Sequence, residues 1–481
     1  MYDIVIIGAG LSSLYFTNKL RNKNYIILEK KGIIGGRIKT RSLENNDKTL
    51  HYELGAQRIH ESHERIFNLI HKLKLEHKIK KIKKKKDYIF INNNKSCKLN
   101  NLVTKKFKNE ITNILKKNNN YNNDTFYSIA EKYLSKEEIN DLINYYGYNI
   151  VLKTMNYNNF KQNYYEKNNN YYYLEDGLSQ IVKKLAINVN VKLSTIISEI
   201  KKEKNYYVIK TNNGIYKTKK IVFGIPKENL LQFNILKKYK NILNSVSTNN
   251  FIRVYALFDK NDNYYWYDDI NTTYSNTRIR KIIKDHNSKH GLIQICYNDG
   301  IDASNIKNNI INGTLEKEIM KNLYELFPQL SIPKPKKLYY QYWHAGTHYY
   351  LPTYNINDVY NKILNPCENI YIMGECYSHH QGWMEGALET ADDVLKILNK
   401  RPKIKLEKII KRKEFKEKGL INNWTIYNHY VYDLTDFINN HPGGEVIKYA
   451  LGKDMTNMFN GVGHSNQAYY LLEKYKIGKL I

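Results

Sequence analysis

The chain has 481 residues, enough for two or three folding units. It carries 76 Lys and Arg against 46 Asp and Glu, so its formal net charge is +30. Such a charge suggests an anionic partner, but no zinc-finger spacing or other nucleic-acid-binding motif occurs, and we expect a solvated basic surface instead. The four cysteines form no Cys-x-x-Cys pair, which argues against a disulfide framework and against a cysteine zinc site.

The chain also lacks the signals of secretion and of membrane insertion. No apolar run reaches about 18 residues, the length of a membrane-spanning helix. The first residues form a predicted strand rather than a charged leader followed by a cleavage site. These features predict a cytoplasmic protein with no membrane anchor and no nucleic-acid partner.

The first predicted elements are a buried strand over residues 3–7, a turn containing Gly8 and Gly10, and a helix. The helix begins above the turn, where backbone N–H groups can bind a pyrophosphate. A second strand ends at Glu29, 19 residues after Gly10, where a carboxylate can accept hydrogen bonds from an adenosine ribose. Ser13 replaces the third glycine of this fingerprint, and we expect it to loosen the packing of the helix on the strand. The combination predicts a Rossmann-type dinucleotide site.

Further motifs follow the second strand. "GIIGGRIKT" contains Gly36 and Arg37, and "YELGAQRIH" contains Gly55, Ala56, Gln57 and Arg58. Later, "VKLSTIISEI" contains Ile197, "QYWHAGTHYYLP" contains Tyr350, and "NIYIMGECYSHHQGWMEGALET" contains Gly374, Glu375, Gly382, Trp383 and Met384. In this order over about residues 1–400, the motifs resemble those of the flavin-containing amine oxidase family.

This resemblance implies that FAD is the cofactor. The Gly-Gly-Arg turn then lies along the FAD pyrophosphate, and the Leu-Gly-Ala segment lies beside the isoalloxazine ring. A backbone group at Ile197 contacts the adenine, and the helix that begins near Met384 directs its N-terminus at the flavin ring.

The resemblance also implies substrate-binding residues. In the family, an aromatic pair frames the substrate nitrogen; Trp383 matches one member, and Tyr350 or its neighbour Tyr349 the other. Arg253 stands where the family has a lysine near the flavin. Because an arginine stays protonated, it favours a dehydrogenase over an oxidase; the alternative is an exposed strand residue.

Arg58 replaces the aromatic residue of polyamine-oxidising members. Amino-acid-oxidising members have an arginine at this position, which binds the substrate carboxylate. Two interpretations stay open: Arg58 contacts a carboxylate-bearing amine, or it pairs with Glu53 or another nearby carboxylate.

The C-terminal region contains two histidines in distinctive settings. His441 stands in "HPGG" and His464 in "VGHS", 23 residues later. Residues 421–481 resemble cytochrome b5, which implies that both histidines ligate haem b. Two axial imidazoles leave no open iron position, so such a site carries single electrons. The basic stretch 401–420 is interpreted as a linker, although a helix or a divergent start of the domain is also open.

We therefore expect an α/β two-domain flavoprotein followed by a small α+β cytochrome b5-like domain. The expected FAD-binding parts are about residues 1–75, 170–235 and 345–400. The expected substrate domain is formed by about residues 76–169 and 236–344.

The predicted function is hydride transfer from an amine to FAD, with electrons passed to the haem and then exchanged with an external acceptor or donor. Three alternatives remain at this point. The enzyme could use dioxygen as polyamine oxidases do, or desaturate a carbon–carbon bond. The chain could also be a basic binding or scaffold protein whose cofactor sites have decayed.

Overall fold

The computed structural model describes residues 1–45, 47–82, 89–92, 95–98, 123–146, 148–164, 170–399, 408–462, 464, 468 and 471–481. The chain divides into two compact units, Met1–Ile397 and Leu398–Ile481. None of the described helices has both the length and the apolar composition needed to cross a bilayer.

The first unit mixes strands and helices throughout. Its described strands are β1 (Tyr2–Ile7), β2 (Tyr25–Leu28), β3 (Thr40–Asn45), β4 (Lys48–Glu53), β5 (Ile59–His60), β6 (Ile79–Lys81), β7 (Ile89–Asn92), β8 (Lys95–Lys98), β9 (Tyr171–Leu174), β10 (Val191–Lys192), β11 (Ile197–Lys202), β12 (Tyr207–Thr211), β13 (Gly214–Phe223), β14 (Val246–Leu257), β15 (Thr273–Ser275), β16 (Lys281–Ile282), β17 (Leu292–Asp299), β18 (Lys337–Tyr350) and β19 (Ile370–Ile372).

The described α-helices that begin in this unit are α1 (Leu11–Lys19), α2 (Glu64–Lys72), α3 (Phe126–Ala130), α4 (Lys136–Tyr146), α5 (Asn149–Thr154), α6 (Tyr157–Tyr164), α7 (Ser179–Leu185), α8 (Lys227–Leu230), α9 (Lys240–Leu243), α10 (Gly300–Ile311), α11 (Leu315–Leu326), α12 (Ile356–Ile363) and α13 (Met384–Asn399).

The main sheet has the strand order β10-β2-β1-β13-β12-β11, and β19 also pairs with β13. β1 runs parallel to β2 and β13, and β19 runs parallel to β13. Parallel strands covered on both faces are continuous apolar runs. The fully buried residues Val5, Ile6 and Ile27 of β1 and β2 fit this pattern. The predicted order of strand, glycine turn and helix is present in β1 and α1.

The contact between α1 and the sheet explains how Ser13 replaces a glycine. Ser13 is fully buried, and its Oγ lies 2.2 Å from the position that a Cβ on Gly224 would occupy. Gly224 directly follows β13. Gly224 has no side chain, so the Ser13 hydroxyl fits in the space beside it. The helix α1 therefore packs closely on the sheet although Ser13 stands in place of a glycine.

We expect Gly224→Ala to destabilise the protein by about 1–3 kcal/mol, because the added methyl meets the Ser13 hydroxyl in a packed core. Ser13→Gly should relieve that clash, so the two substitutions should be non-additive in a double-mutant cycle of thermal midpoints. Gly32→Ala is the control, since its Cβ would lie an ordinary 3.6 Å from Ser194 Oγ. Additive effects would contradict this account.

A second sheet, of order β17-β14-β18, forms another wall of the unit. Alternate residues of a strand point to opposite faces, and Ile252, Val254 and Ala256 of β14 enter one hydrophobic core. Arg253, between them, stands opposite Tyr297 of β17. In the neighbouring pair β15 and β16, Tyr274 stands opposite Lys281. Backbone pairing thus places two cations beside tyrosines.

The second unit contains one four-stranded sheet of order β20-β23-β22-β21. Its described elements are β20 (Lys408–Ile410), α14 (Arg412–Lys418), β21 (Trp424–Tyr427), β22 (Tyr430–Asp433), α15 (Thr456–Gly461) and β23 (Lys476–Leu480), with 3-10 helices at Ile438–Asn440, Gly444–Ala450 and Glu473–Tyr475.

The basic stretch 401–420 is not a linker over its described part. β20 pairs in parallel with β23. Ile410 and Phe415 are buried in a core with Trp424, Ile426 and Val431. Two apolar side chains therefore anchor an otherwise basic stretch to the sheet, which corrects the linker interpretation for residues 408–420. Residues 401–407 of that prediction lie outside the described residues.

Candidate functional site

The first unit contains a cavity of about 1560 Å³. Small-molecule sites usually measure about 300–1,000 Å³, so this cavity has room for a dinucleotide and a further ligand. The predicted site residues that line it are Gly8, Gly10, Glu29, Gly36, Arg37, Gly55, Ala56, Gln57, Arg58, Ile197, Arg253, Gly374, Glu375, Gly382, Trp383 and Met384. Ser13 and Tyr350, from the same prediction, do not line it.

The glycine turns form a close-fitting cradle at one end of the cavity. Gly8 has φ +95°, and a Cβ there would lie 2.6 Å from Ile225 Cγ2. A Cβ on Gly36, at φ +60°, would lie 3.3 Å from Gly10 Cα. α1 starts directly after Gly10, which has no side chain to cap its first N–H groups. Free N–H groups and the absence of side chains fit a pyrophosphate.

Glu29 lies at the edge of this cradle. One of its carboxylate oxygens accepts a hydrogen bond from the Ala9 N–H at 2.7 Å, and the other accepts from the Lys31 N–H at 2.8 Å. The carboxylate is thereby held against the glycine turn.

Arg37 and Glu375 join two motifs that are distant in sequence. Arg37 Nη1 donates to Glu375 Oε2 at 2.6 Å and to the Gly346 carbonyl at 3.0 Å. Glu375 also accepts from the His348 and Gly382 N–H groups at 2.9 and 3.0 Å. Burial opposes ionisation of Glu375, but Arg37 and His348 hold the pKa of its carboxyl well below the usual range. A fixed negative charge therefore stands at the cavity wall.

His348 was not predicted as a site residue. Its Nδ1 lies 3.1 Å from Glu375 Oε2 and its Nε2 3.5 Å from Glu228 Oε2. Burial opposes its protonation, yet Cys376, Glu375 and Glu228 raise the pKa of the imidazole. A single histidine in a strand belongs to no recognisable sequence motif. Only the fold shows that His348 links two carboxylates.

The aromatic residues at the cavity differ from the prediction. The rings of Trp383 and Tyr171 are nearly parallel, with centroids 6.1 Å apart, and both line the cavity. Tyr349 also lines it. Tyr350 is fully buried in the core, and its hydroxyl donates to the Tyr377 carbonyl. Neighbouring strand residues point to opposite faces, so Tyr349 replaces Tyr350 as the cavity residue.

Arg253 is 6% exposed, so its interpretation as an exposed strand residue is wrong. Its Nη1 donates to the Glu53 carbonyl at 3.0 Å, and its guanidinium lies 4.5 Å from the Tyr297 ring centroid. Arg58 lies 5.4 Å from the ring centroid of Tyr171. The Glu53 carboxylate accepts hydrogen bonds from the Thr40 hydroxyl and a backbone amide instead of pairing with Arg58.

Burial raises the pKa of Glu53 to about 7, although the Leu178 amide and the Thr40 hydroxyl favour the ionised form. The folded chain thus retains this proton to higher pH than the unfolded chain, whose glutamate ionises near 4.5. The stabilisation is complete below the unfolded pKa and is lost as the pH rises through the folded pKa.

We therefore expect Glu53→Gln to reduce the loss of thermal stability between about pH 5 and about pH 8.5, by at most about 3 kcal/mol. Thermal midpoints at both pH values measure this change. Glu316→Gln removes an exposed carboxylate and should lose as much thermal stability between the two pH values as the unsubstituted protein does. If Glu53→Gln also loses as much as the unsubstituted protein, another group controls the pH dependence.

The second unit places its two predicted metal ligands in similar settings. His441 Nδ1 donates to the Gly444 carbonyl at 3.2 Å, and His464 Nδ1 donates to the Phe459 carbonyl at 2.9 Å. Because a carbonyl only accepts, each ring carries its proton on Nδ1 and offers the Nε2 lone pair to a metal. The Phe459 ring stacks on His464 at 4.1 Å.

Apolar side chains in the histidine-containing part of this unit are unusually exposed. Val446 is 53% exposed, Met458 46% and Val462 71%. Apolar side chains clustered on a surface mark a binding site. Among the described residues neither imidazole makes a hydrogen bond through Nε2, and such a pair with exposed apolar side chains fits a flat, apolar ligand that contains a metal, as haem does.

Two family models match this chain. The flavin containing amine oxidoreductase family matches residues 19–394, and the cytochrome b5-like Heme/Steroid binding domain matches residues 410–481. Cytochrome b5 of Drosophila melanogaster is 48% identical over 61 residues, which are 12% of this chain and 46% of that protein. Cytochrome b5 of Rattus norvegicus is 46% identical over 76 residues, 16% of this chain and 53% of that protein. The chain spans about half the length of these curated relatives.

The two matches imply FAD and haem as cofactors, as predicted from the motifs. The prediction of an FAD-dependent amine oxidoreductase is confirmed, and the alternative of a scaffold protein is overturned, because the first match covers most of the chain. The chain belongs to the flavin containing amine oxidoreductase family and carries a cytochrome b5-like domain in its C-terminal region.

Proposed function

We propose that the first unit oxidises a carboxylate-bearing amine and that the electrons pass to the haem domain of the same chain. FAD, when bound, supplies a two-electron acceptor for hydride, and a bis-histidine haem supplies a one-electron carrier. The observation that carries the substrate proposal is a group of three cations, Arg58, Arg253 and Lys281, among the basic residues that line the cavity.

The acidic residues that line this cavity are Glu29, Glu228 and Glu375. Each accepts hydrogen bonds from protein groups: Glu29 from backbone amides, Glu228 from Thr248, and Glu375 from Arg37. A polyamine would bring positive charge to the cations without a free carboxylate to balance it. A substrate carboxylate would instead pair with a guanidinium, which binds it in a bidentate manner.

We infer the following roles for the cofactor-binding residues. Gly8, Gly10 and the start of α1 bind the pyrophosphate in a Rossmann-type arrangement, Glu29 binds the ribose, and the backbone at Ile197 contacts the adenine. The Arg37–Glu375 pair fixes the segments that carry Gly36, Gly55, Ala56, Gln57, Gly374, Gly382 and Met384 around the flavin. The proposed domain limits remain those expected from the sequence, with the haem domain extended to include β20 and α14.

The proposed substrate roles belong to Arg58, Trp383 and Arg253. Arg58 binds the substrate carboxylate, and Trp383 with Tyr171 forms an aromatic wall beside the amine. Arg253 is held by the Glu53 carbonyl and stays positively charged, so it cannot accept a proton as a neutral lysine does. This permanent charge supports a dehydrogenase that uses the haem as its acceptor.

Anaerobic stopped-flow mixing with amino acids and with polyamines tests the proposal. We expect amino acids to bleach the flavin first and the haem to reduce afterwards, at a rate independent of protein concentration. Arg58→Ala should raise KM about 10- to 100-fold, as expected for loss of a charged hydrogen bond. Arg21→Ala, an exposed arginine, is the control. Rapid oxidation of polyamines with inert amino acids, or haem that stays oxidised beside reduced flavin, would refute it.

The external electron acceptor or donor and a cytoplasmic location also belong to this proposal. Cys296, Cys367 and Cys376 are free thiols in the structure. Free thiols are typical of reducing compartments, which supports the cytoplasm.

A further inference from the structure

Lys281 is a buried lysine of the cavity wall, only 5% exposed. Its side-chain ammonium makes no hydrogen bond or ion pair with another residue of the described part of the chain. Its Nζ instead lies 3.6 Å from the ring centroid of Tyr148, 5.2 Å from that of Tyr274 and 5.7 Å from that of Tyr297. Burying an ammonium without a counter-ion is costly, so this position indicates a partner that the described residues do not supply.

Arg58 faces the same three tyrosines and interacts electrostatically with each. Like Lys281, it has no ion pair with a described residue. Arg253, the third cation, is already bound to the Glu53 carbonyl and lies over Tyr297. One end of the cavity therefore carries two basic side chains that form no ion pair with a described residue and are surrounded by aromatic rings.

The charged and titratable groups around Lys281 come from several elements. Arg58 approaches from the segment after β4, Tyr148 precedes α5, Tyr274 lies on β15, and Tyr297 and Asp299 lie on β17. Burial and Arg58 lower the pKa of Lys281, and Asp299 opposes them. An anion placed within about 4–6 Å of Nζ would favour the ammonium form, so binding of such an anion would take up a proton.

We propose that Lys281 binds a second anionic group of the substrate, so that the substrate is an amine with two carboxylates. Arg58 binds one carboxylate and Lys281 the other, while the tyrosines exclude water around both. A substrate with a single carboxylate would pair with only one of the two basic side chains. This inference rests on the proposed function, which it deepens by naming the substrate class.

The test uses the full chain with FAD and haem bound, titrated with succinate and with propionate. Flavin absorbance reports binding, and calorimetry in buffers of different ionisation enthalpy counts protons. We expect succinate to bind about 10- to 100-fold more tightly than propionate. Because burial and Arg58 lower the pKa of Lys281, binding of succinate should take up more protons than binding of propionate.

Lys281→Met should abolish both the preference for succinate and its proton uptake. Lys281→Arg should keep the preference but lose the uptake, because arginine is always charged. The matched control is Lys153→Met, an exposed lysine whose Nζ lies 5.4 Å from the Tyr127 ring centroid. If Lys281→Met does not fold, succinate preference and proton uptake in the unsubstituted protein and in Lys281→Arg still test the inference.

Equal affinity for succinate and propionate in the unsubstituted protein would overturn the inference, as would an unchanged preference in Lys281→Met. No amine is oxidised in these titrations, so preferential binding of succinate supports the inference even if the amine screen fails. Oxidation of monocarboxylic amines without preferential succinate binding would overturn the inference and leave the proposed function standing.

Discussion

His441→Ala and His464→Ala are each expected to abolish the low-spin haem spectrum and leave the flavin content unchanged. Each imidazole donates its Nδ1 proton to a carbonyl, Gly444 for His441 and Phe459 for His464, which leaves one Nε2 lone pair per ring for the iron. Loss of either ring opens an axial position, and the iron becomes five-coordinate or the haem dissociates. Visible spectra and the haem-to-flavin ratio of the purified variants measure this result.

His429→Asn provides the control in the same unit. His429 has φ +65°, a backbone conformation that asparagine tolerates well, so this variant should fold and keep its haem spectrum. A low-spin spectrum that persists in both His441→Ala and His464→Ala would refute the assignment of the pair as ligands.

Arg37→Leu is expected to cause loss of bound FAD and a fall in thermal stability. The substitution leaves Glu375 as a buried carboxylate without its guanidinium, and breaking a buried ion pair in this way costs about 3–5 kcal/mol. Flavin retained per chain after gel filtration and the thermal midpoint measure the two effects. Arg41→Leu, an exposed arginine on β3, should change neither, and Arg37→Lys should lose less than Arg37→Leu.

A second substitution separates charge from cofactor contact. Glu375→Gln in the Arg37→Leu background removes the uncompensated charge, so thermal stability should largely return. FAD binding should not return, because the residues proposed to contact the cofactor are still altered. Stoichiometric flavin and unchanged stability in Arg37→Leu would contradict the role of this pair.

The glycine turns and the histidine pair could be predicted because their signals are local. Gly8 and Gly36 adopt positive φ in turns that need no side chain, and "HPGG" and "VGHS" are short contiguous motifs. The cavity brings together nearly all of the cofactor-binding residues named from such motifs. Their assigned functions remain proposals, whereas their positions follow from the fold.

The cations and tyrosines of the substrate end could not be predicted in the same way. Lys281 stands in "TRIRKIIK", a basic stretch like many others in this chain, and β16 has only two residues. Its surroundings come from the pairing of β15 with β16 and from Tyr148, more than a hundred residues earlier. Only tertiary structure distinguishes this lysine from the solvated ones.

Two other features could not be predicted because the important residues lie among many similar or strongly charged ones in the sequence. The tyrosine-rich strand β18 offers Tyr349 and Tyr350 as equals in sequence, and the side that each faces depends on the alternation of the observed strand. In residues 408–420, the many lysines obscured Ile410 and Phe415, the two residues that bind the stretch to the core.

The pairing of β20 with β23 determines how the C-terminal domain can be rearranged by protein engineering. The Arg412 N–H donates to the Ile481 carbonyl, and the Ile481 N–H donates to the Ile410 carbonyl, so residues 408–412 and 476–481 lie side by side. Domains whose ends lie side by side tolerate circular permutation and insertion into host loops. A short peptide joining residues 408 and 481 would therefore allow new termini at an exposed turn such as Asn428–His429.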